Sequence, residues 1–188
     1  ASFFQDIPLV EKNLTGEEAN NVNKTSQNEV LSWCTKELRA AADNLPSFAK
    51  VPATDNGRAN KQAALAFLGR TYMLMKDWNN GAKTYKEIID LGENQLNPNY
   101  SELFYPSTGT GTRENIFFIQ YKKDIFGCGL PQHGLSAKDG GWSLVNPTAE
   151  LFEAYEFSDG TKFNYDNPLH NYKEPGKNRD PRLNYTLY

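Results

Sequence analysis

The residues best suited to chemistry lie in the second half of the chain, where several carboxylates stand in loop-like sequence. These carboxylates are Asp124, Asp139, Glu150, Glu153 and Asp159. Two carboxylates at a suitable separation could hydrolyse a glycosidic bond, one as an acid and the other as a base or nucleophile. Glu150 and Glu153 are also residues that the first turn of a helix favours. Because no second catalytic signature accompanies the carboxylates, we expect no catalytic residue and no enzyme.

Trp142 indicates a different chemistry, that of a platform for a ligand. It follows Gly140 and Gly141 in a stretch without helical or strand periodicity, so the backbone is free to present the ring. A flat ring can stack on the apolar face of a sugar while neighbouring polar groups bond to its hydroxyls. The sequence therefore predicts a ligand site at Trp142, His133 and Asp139. Burial of Trp142 in a core is the alternative.

The other tryptophans and histidines favour structural roles. Trp33 and Trp78 lie in or between predicted helices, so we expect them to pack in the core or in a helix hairpin. His133 and His170 are the only histidines and match no clustered metal-binding pattern, so we expect no metal and no cofactor. Apart from the site proposed for His133, both are expected in solvated loops. Residues 179–182 are expected to form a local salt-bridged turn.

Composition excludes several classes of partner. The chain has 188 residues and a formal net charge of -3, so it lacks the basic surface that nucleic acids or anionic membranes select. No apolar stretch approaches the roughly 20 residues needed to span a bilayer. The first residues have neither the basic region nor the apolar run of an export signal. Two distant cysteines make a disulfide framework improbable.

Helical periodicity dominates residues 1–100. The Ser26–Glu29 spacing is that of a capping box and predicts a helix over 27–45, which Pro46 ends. A second, buried helix is predicted over 60–75. A turn at 77–80 then leads into a third helix that runs to residue 91, with Ala82, Tyr85, Ile88 and Ile89 facing inward. Residues 1–25 are expected to be extended or irregular, without a helix.

The helix pair carries a repeat-like pattern. Leu68 and Gly69 precede Tyr72 at the spacing of a tetratricopeptide hairpin, and Ala82 and Tyr85 follow on the next helix. In such a hairpin a small residue lets the two helices approach while aromatic side chains fill the remaining gap. The alternative is a generic antiparallel helix pair. Either arrangement requires Leu68 to be buried.

Residues 101–188 are expected to be rich in loops and aromatic side chains. The run 114–121 is β-branched and aromatic, which predicts a strand or a buried extended segment. Residues 122–145 have no regular period. Pro147 predicts a helix that opens at 146–148 and buries Leu151, Phe152 and Tyr155. The remainder, from residue 159 onward, is expected to consist of turns.

Six short segments occur in a recognisable order along almost the whole chain. They are DIPLV (6–10), GRANKQAA (57–64), YMLMKDW (72–78), ENIF (114–117) with Gln120, PTAEL (147–151) with Tyr155 and Asp159-Gly160, and NRDPRL (178–183). Together they resemble the SusD/RagB family of surface-exposed, nutrient-binding lipoproteins of Bacteroidota. Family members are several hundred residues long and begin with a lipidated cysteine, so we expect this chain to be an internal fragment.

The resemblance implies a mainly α, SusD-like fold in which tetratricopeptide-like helical hairpins over 1–100 support a loop-rich aromatic half over 101–188. We expect both parts to form one continuous domain of a longer protein. The implied function is non-catalytic binding of an oligosaccharide at the extracellular face of the outer membrane, for delivery to a SusC-like TonB-dependent transporter. A lipid anchor is expected outside this chain. A peptide-binding RagB-like protein, a tetratricopeptide scaffold for protein partners and a glycoside hydrolase are the alternatives.

Overall fold

The computed structural model of the chain describes residues 2–55, 57–104, 112–119, 121 and 124–187. Within them the regular structure is helical and no strand forms, which confirms the mainly α fold. The helices are α1 (Gly16–Asn20), α2 (Gln27–Asn44), α3 (Lys61–Leu74), α4 (Trp78–Asp90), α5 (Leu130–Gly134), α6 (Ala149–Ala154) and α7 (Leu183–Thr186). Short 3-10 turns occupy Phe48–Lys50, Ala53–Asp55, Tyr100–Phe104 and Ala137–Asp139.

The described residues fall into two compact units. The first unit contains those up to residue 98 together with 112–118, and the second contains 99–104 and those from 119 onward. Unit 1 holds α1 to α4, and unit 2 holds α5 to α7. The expectation that 1–100 and 101–188 form one continuous domain stays a prediction.

Three helices build the core of unit 1. Helix α2 packs against α3, and α3 packs against α4. The buried core residues are aliphatic and come from all three helices: Ala42, Ala64, Leu65, Leu68 and Ile88. Leu68 is fully buried, as its place in the repeat pattern predicts. The capping box at Ser26 is present, with Glu29 bonded back to the Ser26 backbone.

A close approach of α3 and α4 depends on Gly69. A Cβ at this position would lie 2.7 Å from the Cζ atom of Tyr85 on α4. Real Cβ atoms do not come this close to another heavy atom, so only glycine leaves room for the Tyr85 ring. The predicted combination of a small residue on one helix with an aromatic side chain on the next is confirmed.

Some predictions for unit 1 are wrong in detail. Helix α1 lies within 1–25, where we expected none, and it begins with a Thr15–Glu18 capping box. Helix α4 begins at Trp78 with Asp77 as its N-cap, so the turn is shorter than predicted. Its buried positions are Gly81, Thr84 and Ile88, whereas Ala82 and Ile89 are exposed. Helix α3 is buried on all sides over 62–65, as predicted, but Phe67, Met73 and Leu74 further along it are exposed.

Polar contacts join the segments of unit 1. The amide of buried Gln62 accepts from Phe48 N at 2.9 Å and donates to Glu93 Oε2 at 2.7 Å. Glu93 also accepts from Ala49 N, and this bond is the main cause of its lowered pKa. The oxygen and the nitrogen of the Gln62 side-chain amide therefore each have a hydrogen-bond partner. This allows the amide to be buried without a large free-energy cost.

Unit 2 is built around a buried arginine. Arg179 is almost completely buried, and its guanidinium lies 3.9 Å from the centroid of the Phe163 ring, 4.5 Å from that of Phe152 and 5.4 Å from that of Phe157. Its Nη2 donates to the carbonyls of Phe152 and Tyr155 at the end of α6. No carboxylate pairs with it among the described residues. Burial lowers its pKa.

The salt-bridged turn expected over 179–182 is therefore only half correct. Asp180 and Arg182 do form an ion pair. Arg179 instead binds rings and carbonyl oxygens, because its antiparallel bridge with Phe157 directs it into the aromatic cluster. The expectation of a solvated His170 is wrong as well, since the imidazole is half-buried and lies edge-on to Phe163 and Tyr165.

The strand predicted over 114–121 does not form. Gln120 lies outside the described residues, and in the rest of the run no strand is assigned. Ile116 packs against the core of unit 1, but Phe117, Phe118 and Ile119 are exposed. High β-propensity reflects how well a side chain fits a pleated sheet, and no strand lies beside this run in the described part of the chain.

Three short helices of unit 2 depart from expectation. Helix α6 begins at Ala149 with Thr148 as its N-cap, two residues later than predicted, so Pro147 precedes the cap. Leu151 on α6 is exposed, whereas Phe152 and Tyr155 are half-buried. Helices α5 and α7 occupy stretches in which we expected no regular structure.

Candidate ligand-binding site

The segment 130–145 forms a compact loop that carries all three predicted site residues, His133, Asp139 and Trp142. It begins with α5 and continues through the Ala137–Asp139 turn. The backbone after this turn runs back beside α5 and is hydrogen-bonded to it. Trp142 N donates to Gln132 O at 2.8 Å, and Leu144 N donates to His133 O at 2.9 Å. Ser143 N donates to Leu135 O at 3.0 Å. The loop therefore has a defined conformation of its own.

The two glycines before Trp142 are required by this conformation. Gly140 has a φ of 85°, in the left-handed region that side chains disfavour. A Cβ at Gly141 would collide with the backbone carbonyl of Leu135. Gly134, in the same loop, has open space around it. The Gly140-Gly141 pair thus sets the direction from which Trp142 leaves the loop.

Trp142 and His133 lie side by side. The Trp142 side chain is 55% exposed. Its ring centroid is 5.1 Å from that of His133, with the planes tilted by 34°. His133 is half-buried and lies against the indole ring. The alternative of a core tryptophan is wrong, and an exposed ring on a fixed backbone is what stacking on a sugar requires.

Asp139, the third predicted residue, has a different immediate task. Its carboxylate accepts from the Ser136 hydroxyl, and its backbone N donates to the Ser136 Oγ at 3.3 Å. These bonds close the turn that precedes Gly140. No contact joins Asp139 to Trp142 or His133 among the described contacts. The carboxylate remains exposed and could still reach a bound hydroxyl.

Apolar residues near Trp142 were missed by the sequence reasoning. Leu130, Leu144 and Val145 belong to the same loop and are exposed. Periodicity could not single them out because the loop has none. The usable signal was their presence beside a glycine pair and a tryptophan, in a segment where no helix or strand stripe accounts for apolar side chains.

The other two tryptophans differ from each other. Trp33 is half-buried on α2, and its indole Nε1 donates to Glu11 at 2.6 Å. Trp78 is 61% exposed at the first position of α4, so the expected packing in the hairpin is wrong. It lies next to the α3–α4 turn, where the helix interface ends. Trp78 therefore provides a natural comparison for Trp142.

Three of the candidate carboxylates, Glu150, Glu153 and Asp159, make hydrogen bonds that serve the fold. Glu150 lies in the first turn of α6, where its own backbone N–H and the Thr148 hydroxyl lower its pKa. Asp159 accepts from Thr161 N and Oγ1, which lower its pKa as well. Glu153 accepts from the Tyr165 hydroxyl at 2.9 Å. A general acid for glycoside hydrolysis needs a raised pKa, whereas the pKa values of Glu150 and Asp159 are lowered.

The described residues contain neither a cluster of metal ligands nor a helix that could span a membrane. No group of three His, Cys, Asp or Glu side chains comes together there as a set of metal ligands. No helix in the described part of the chain combines the length and apolar composition that crossing a bilayer demands.

Comparison with known proteins shows which proteins this chain is related to. No protein-family model matches the chain. A SusD-like carbohydrate-binding protein of Bacteroides fragilis, known from its crystal structure, is 63% identical and superposes with a TM-score of 0.92 over 98% of this chain and 36% of its own. The chain is homologous to SusD-like proteins. This confirms the resemblance carried by the six segments.

Two more distant SusD-like proteins are also similar to this chain. Another one from Bacteroides fragilis is 26% identical, with a TM-score of 0.76 over 95% of this chain and 38% of its own. SusD-like protein P2 of Formosa agariphila is 25% identical, over 83% of this chain and 33% of its own. The SusD-like chain thus spans about a third of the length of these relatives. The activity and partners of a whole protein are accordingly matters for proposal.

Proposed function

We propose that this SusD-like chain binds an oligosaccharide through Trp142 without breaking bonds in it. The observation that carries the proposal is the exposed Trp142 indole, held beside His133 by a loop with its own hydrogen bonds. A rigid ring offers stacking area at little cost in side-chain entropy. The homology to a structure described as a SusD-like carbohydrate-binding protein supports the same ligand class.

The polar surroundings of Trp142 suit a sugar better than an apolar ligand. Gln132, Lys138 and Asp139 belong to the same loop and are exposed. Their amide, ammonium and carboxylate groups can donate to and accept from hydroxyls at the edge of a stacked ring. Such a site recognises a sugar by stacking on its apolar face and by hydrogen bonds around its rim.

The absence of catalysis belongs to the proposal and is supported by the carboxylates. Glu150 and Asp159 have lowered pKa values, so both are ionised at neutral pH. Neither could donate a proton to a leaving sugar oxygen there. Their hydrogen bonds cap a helix and close a turn, which are structural tasks.

We further infer from the homology that the parent protein lies on the extracellular face of the outer membrane, held by a lipid anchor. It would pass the bound oligosaccharide to a SusC-like TonB-dependent transporter. In this arrangement the helical hairpins of unit 1 serve as scaffold and partner surface, and the loops of unit 2 hold the ligand. Co-purification of the parent protein with a transporter of this class tests the assembly.

Calorimetric titration of two tryptophan variants tests the binding site. Trp142→Ala is expected to weaken the binding of an oligosaccharide by roughly ten- to a hundredfold, which corresponds to about 1 to 3 kcal/mol. Trp78→Ala removes an equally exposed tryptophan from unit 1. It is the matched control and should leave the affinity unchanged.

The melting temperature of each variant separates binding from folding. Because the indole is exposed, Trp142→Ala should melt close to the parent chain. Unchanged affinity in Trp142→Ala, or a loss of equal size in Trp78→Ala, would overturn the proposed site. Release of shorter saccharides that stops in a carboxylate variant would overturn the non-catalytic reading.

A further inference from the structure

A second concave surface lies in unit 2, away in sequence from the Trp142 loop. Residues 168–173, together with Lys177 and Asn178, line a groove of about 480 Å³, which we name the Lys173 groove. Few of its residues belong to any motif used above. The groove is shallow and largely open to solvent, so a ligand would lie along its surface.

Hydrogen bonds fix the walls of the Lys173 groove. Asn171 Oδ1 accepts from Lys173 N at 2.9 Å. Asn178, in the left-handed region with a φ of 58°, donates from Nδ2 to Leu169 O at 3.0 Å. These side chains bond across the groove-forming turns, so the concavity belongs to an ordered backbone.

Tyr172 supplies an exposed ring at the groove. Its side chain is 72% exposed although it has two attachments. The hydroxyl donates to Tyr165 O at 3.3 Å, and the ring lies edge-on to His170 at 4.4 Å between centroids. Attachment at the hydroxyl and at one edge leaves ring surface open to solvent. This is the geometry of a stacking platform.

The charge of the groove is positive in a chain that is negative overall. Lys173 is exposed and makes no ion pair with any described residue, whereas Lys177 is paired with Glu174 at 3.1 Å. The residues that line the groove include these two lysines and no Asp or Glu, in a chain whose net charge is -3. A free ammonium beside an exposed ring favours a ligand that is both sugar-like and anionic.

We propose that the Lys173 groove binds an acidic sugar residue, with its ring on Tyr172 and its anionic group at Lys173. A carboxylate of a uronate and a sulfate ester have this chemistry in common. The proposal depends on the proposed function only for the class of ligand. The groove is distinct from the Trp142 site, so each can fail without the other.

NMR titrations of the isotope-labelled chain with D-glucuronate, D-glucose 6-sulfate and D-glucose test the proposal. Both acidic sugars should shift the amide signals of Tyr172 and Lys173, at lower concentrations than glucose does. Lys173→Met should weaken the binding of both acidic sugars about two- to fivefold and leave the binding of glucose unchanged. Raising the salt concentration should remove this difference. Lys162→Met, which removes an exposed lysine that does not line the groove, should match the parent chain.

Two further variants, Tyr172→Ala and Trp142→Ala, and one further probe, inorganic sulfate, complete the design. Tyr172→Ala should weaken the binding of all three sugars. Trp142→Ala should not alter the shifts of the Lys173 amide signal. A groove that responds to inorganic sulfate as strongly as to the acidic sugars would contradict the sugar part of the proposal. Equal affinities in Lys173→Met and Lys162→Met, or equal binding of glucose and the acidic sugars, would overturn the role of charge.

Discussion

The two units of this chain solve the problem of a core in different ways. Unit 1 buries aliphatic side chains such as Leu65 and Leu68 between helices. Unit 2 surrounds the guanidinium of Arg179 with phenylalanine rings and satisfies part of it with carbonyl oxygens. The core of unit 1 contains no charged side chain among its buried residues, whereas the core of unit 2 is built around the Arg179 guanidinium. The ordered loops of unit 2 are in turn what present the candidate site.

The most severe test of this contrast is a charge placed in the helical core. Leu68→Asp buries an unpaired carboxylate between α2, α3 and α4, so we expect a loss of about 4 kcal/mol or more and loss of the helices of unit 1. Far-UV circular dichroism and the melting temperature report it. Phe67→Asp, at the exposed neighbouring position, is the control and should stay folded. A folded Leu68→Asp chain would refute the assigned core.

Removing the charge from unit 2 is the converse experiment. Arg179→Met keeps most of the volume but loses the cation–π contacts and the two bonds to carbonyls, so we expect destabilisation by about 2 to 4 kcal/mol. Near-UV circular dichroism follows the aromatic cluster. Arg182→Met removes an exposed arginine three positions away and should cost less than about 1 kcal/mol. A fully stable Arg179→Met variant would mean that rings alone hold unit 2.

Periodicity accounts for the success of the sequence reasoning in unit 1. Leu68 could be placed in the core because helical spacing repeats on one face, and the Gly69–Tyr85 pair followed from the repeat pattern. The detail failed where neighbours decide exposure, since Ile88 and Ile89 are alike in type and only Ile88 meets another helix. The capping box at Thr15 was available in the sequence and was overlooked.

The packing of unit 2 could not be predicted from periodicity. The rings around Arg179 come from positions 152, 157 and 163, which share no period. Only the folded backbone brings them together. At the candidate site, the glycine pair correctly indicated an exposed Trp142, but no pattern could predict that Asp139 would bond to Ser136. Composition can signal an exposed ring, whereas its partners depend on the loop.

The close approach within unit 1 predicts a moderate effect. Gly69→Ala would push its Cβ into the Tyr85 ring and separate α3 from α4, for which we expect a cost of about 1 to 3 kcal/mol in thermal unfolding. Gly16→Ala, at a helical glycine with open space around it, should change stability by at most about 1 kcal/mol. If both alanine variants are equally stable, the close approach of α3 and α4 does not depend on the missing side chain of Gly69.

The smallest expected effect concerns the ion pair between α2 and α4. Arg39 donates to Glu87 through two bonds of 2.8 Å, and this lowers the pKa of Glu87 from its ordinary value of 4.5. Both side chains are over a third exposed, so Arg39→Met should cost less than about 1 kcal/mol at neutral pH.

The pH dependence of that cost has a definite sign. A lowered carboxyl pKa stabilises the fold above the unfolded value and loses this contribution as the pH falls through the folded value. The difference in melting temperature between the parent chain and Arg39→Met should therefore vanish in acid. A difference that grows as the pH falls would contradict the ion pair as its origin.

The indole signals of the three tryptophans test the central claim most directly. In nitrogen-15 NMR spectra, Trp33, Trp78 and Trp142 give separate indole N–H signals that single Trp→Phe variants assign. On titration with an oligosaccharide, the account predicts that the Trp142 indole signal shifts in a saturable manner while those of Trp33 and Trp78 stay in place. A saturable shift at Trp78, with the Trp142 signal unmoved, would contradict it.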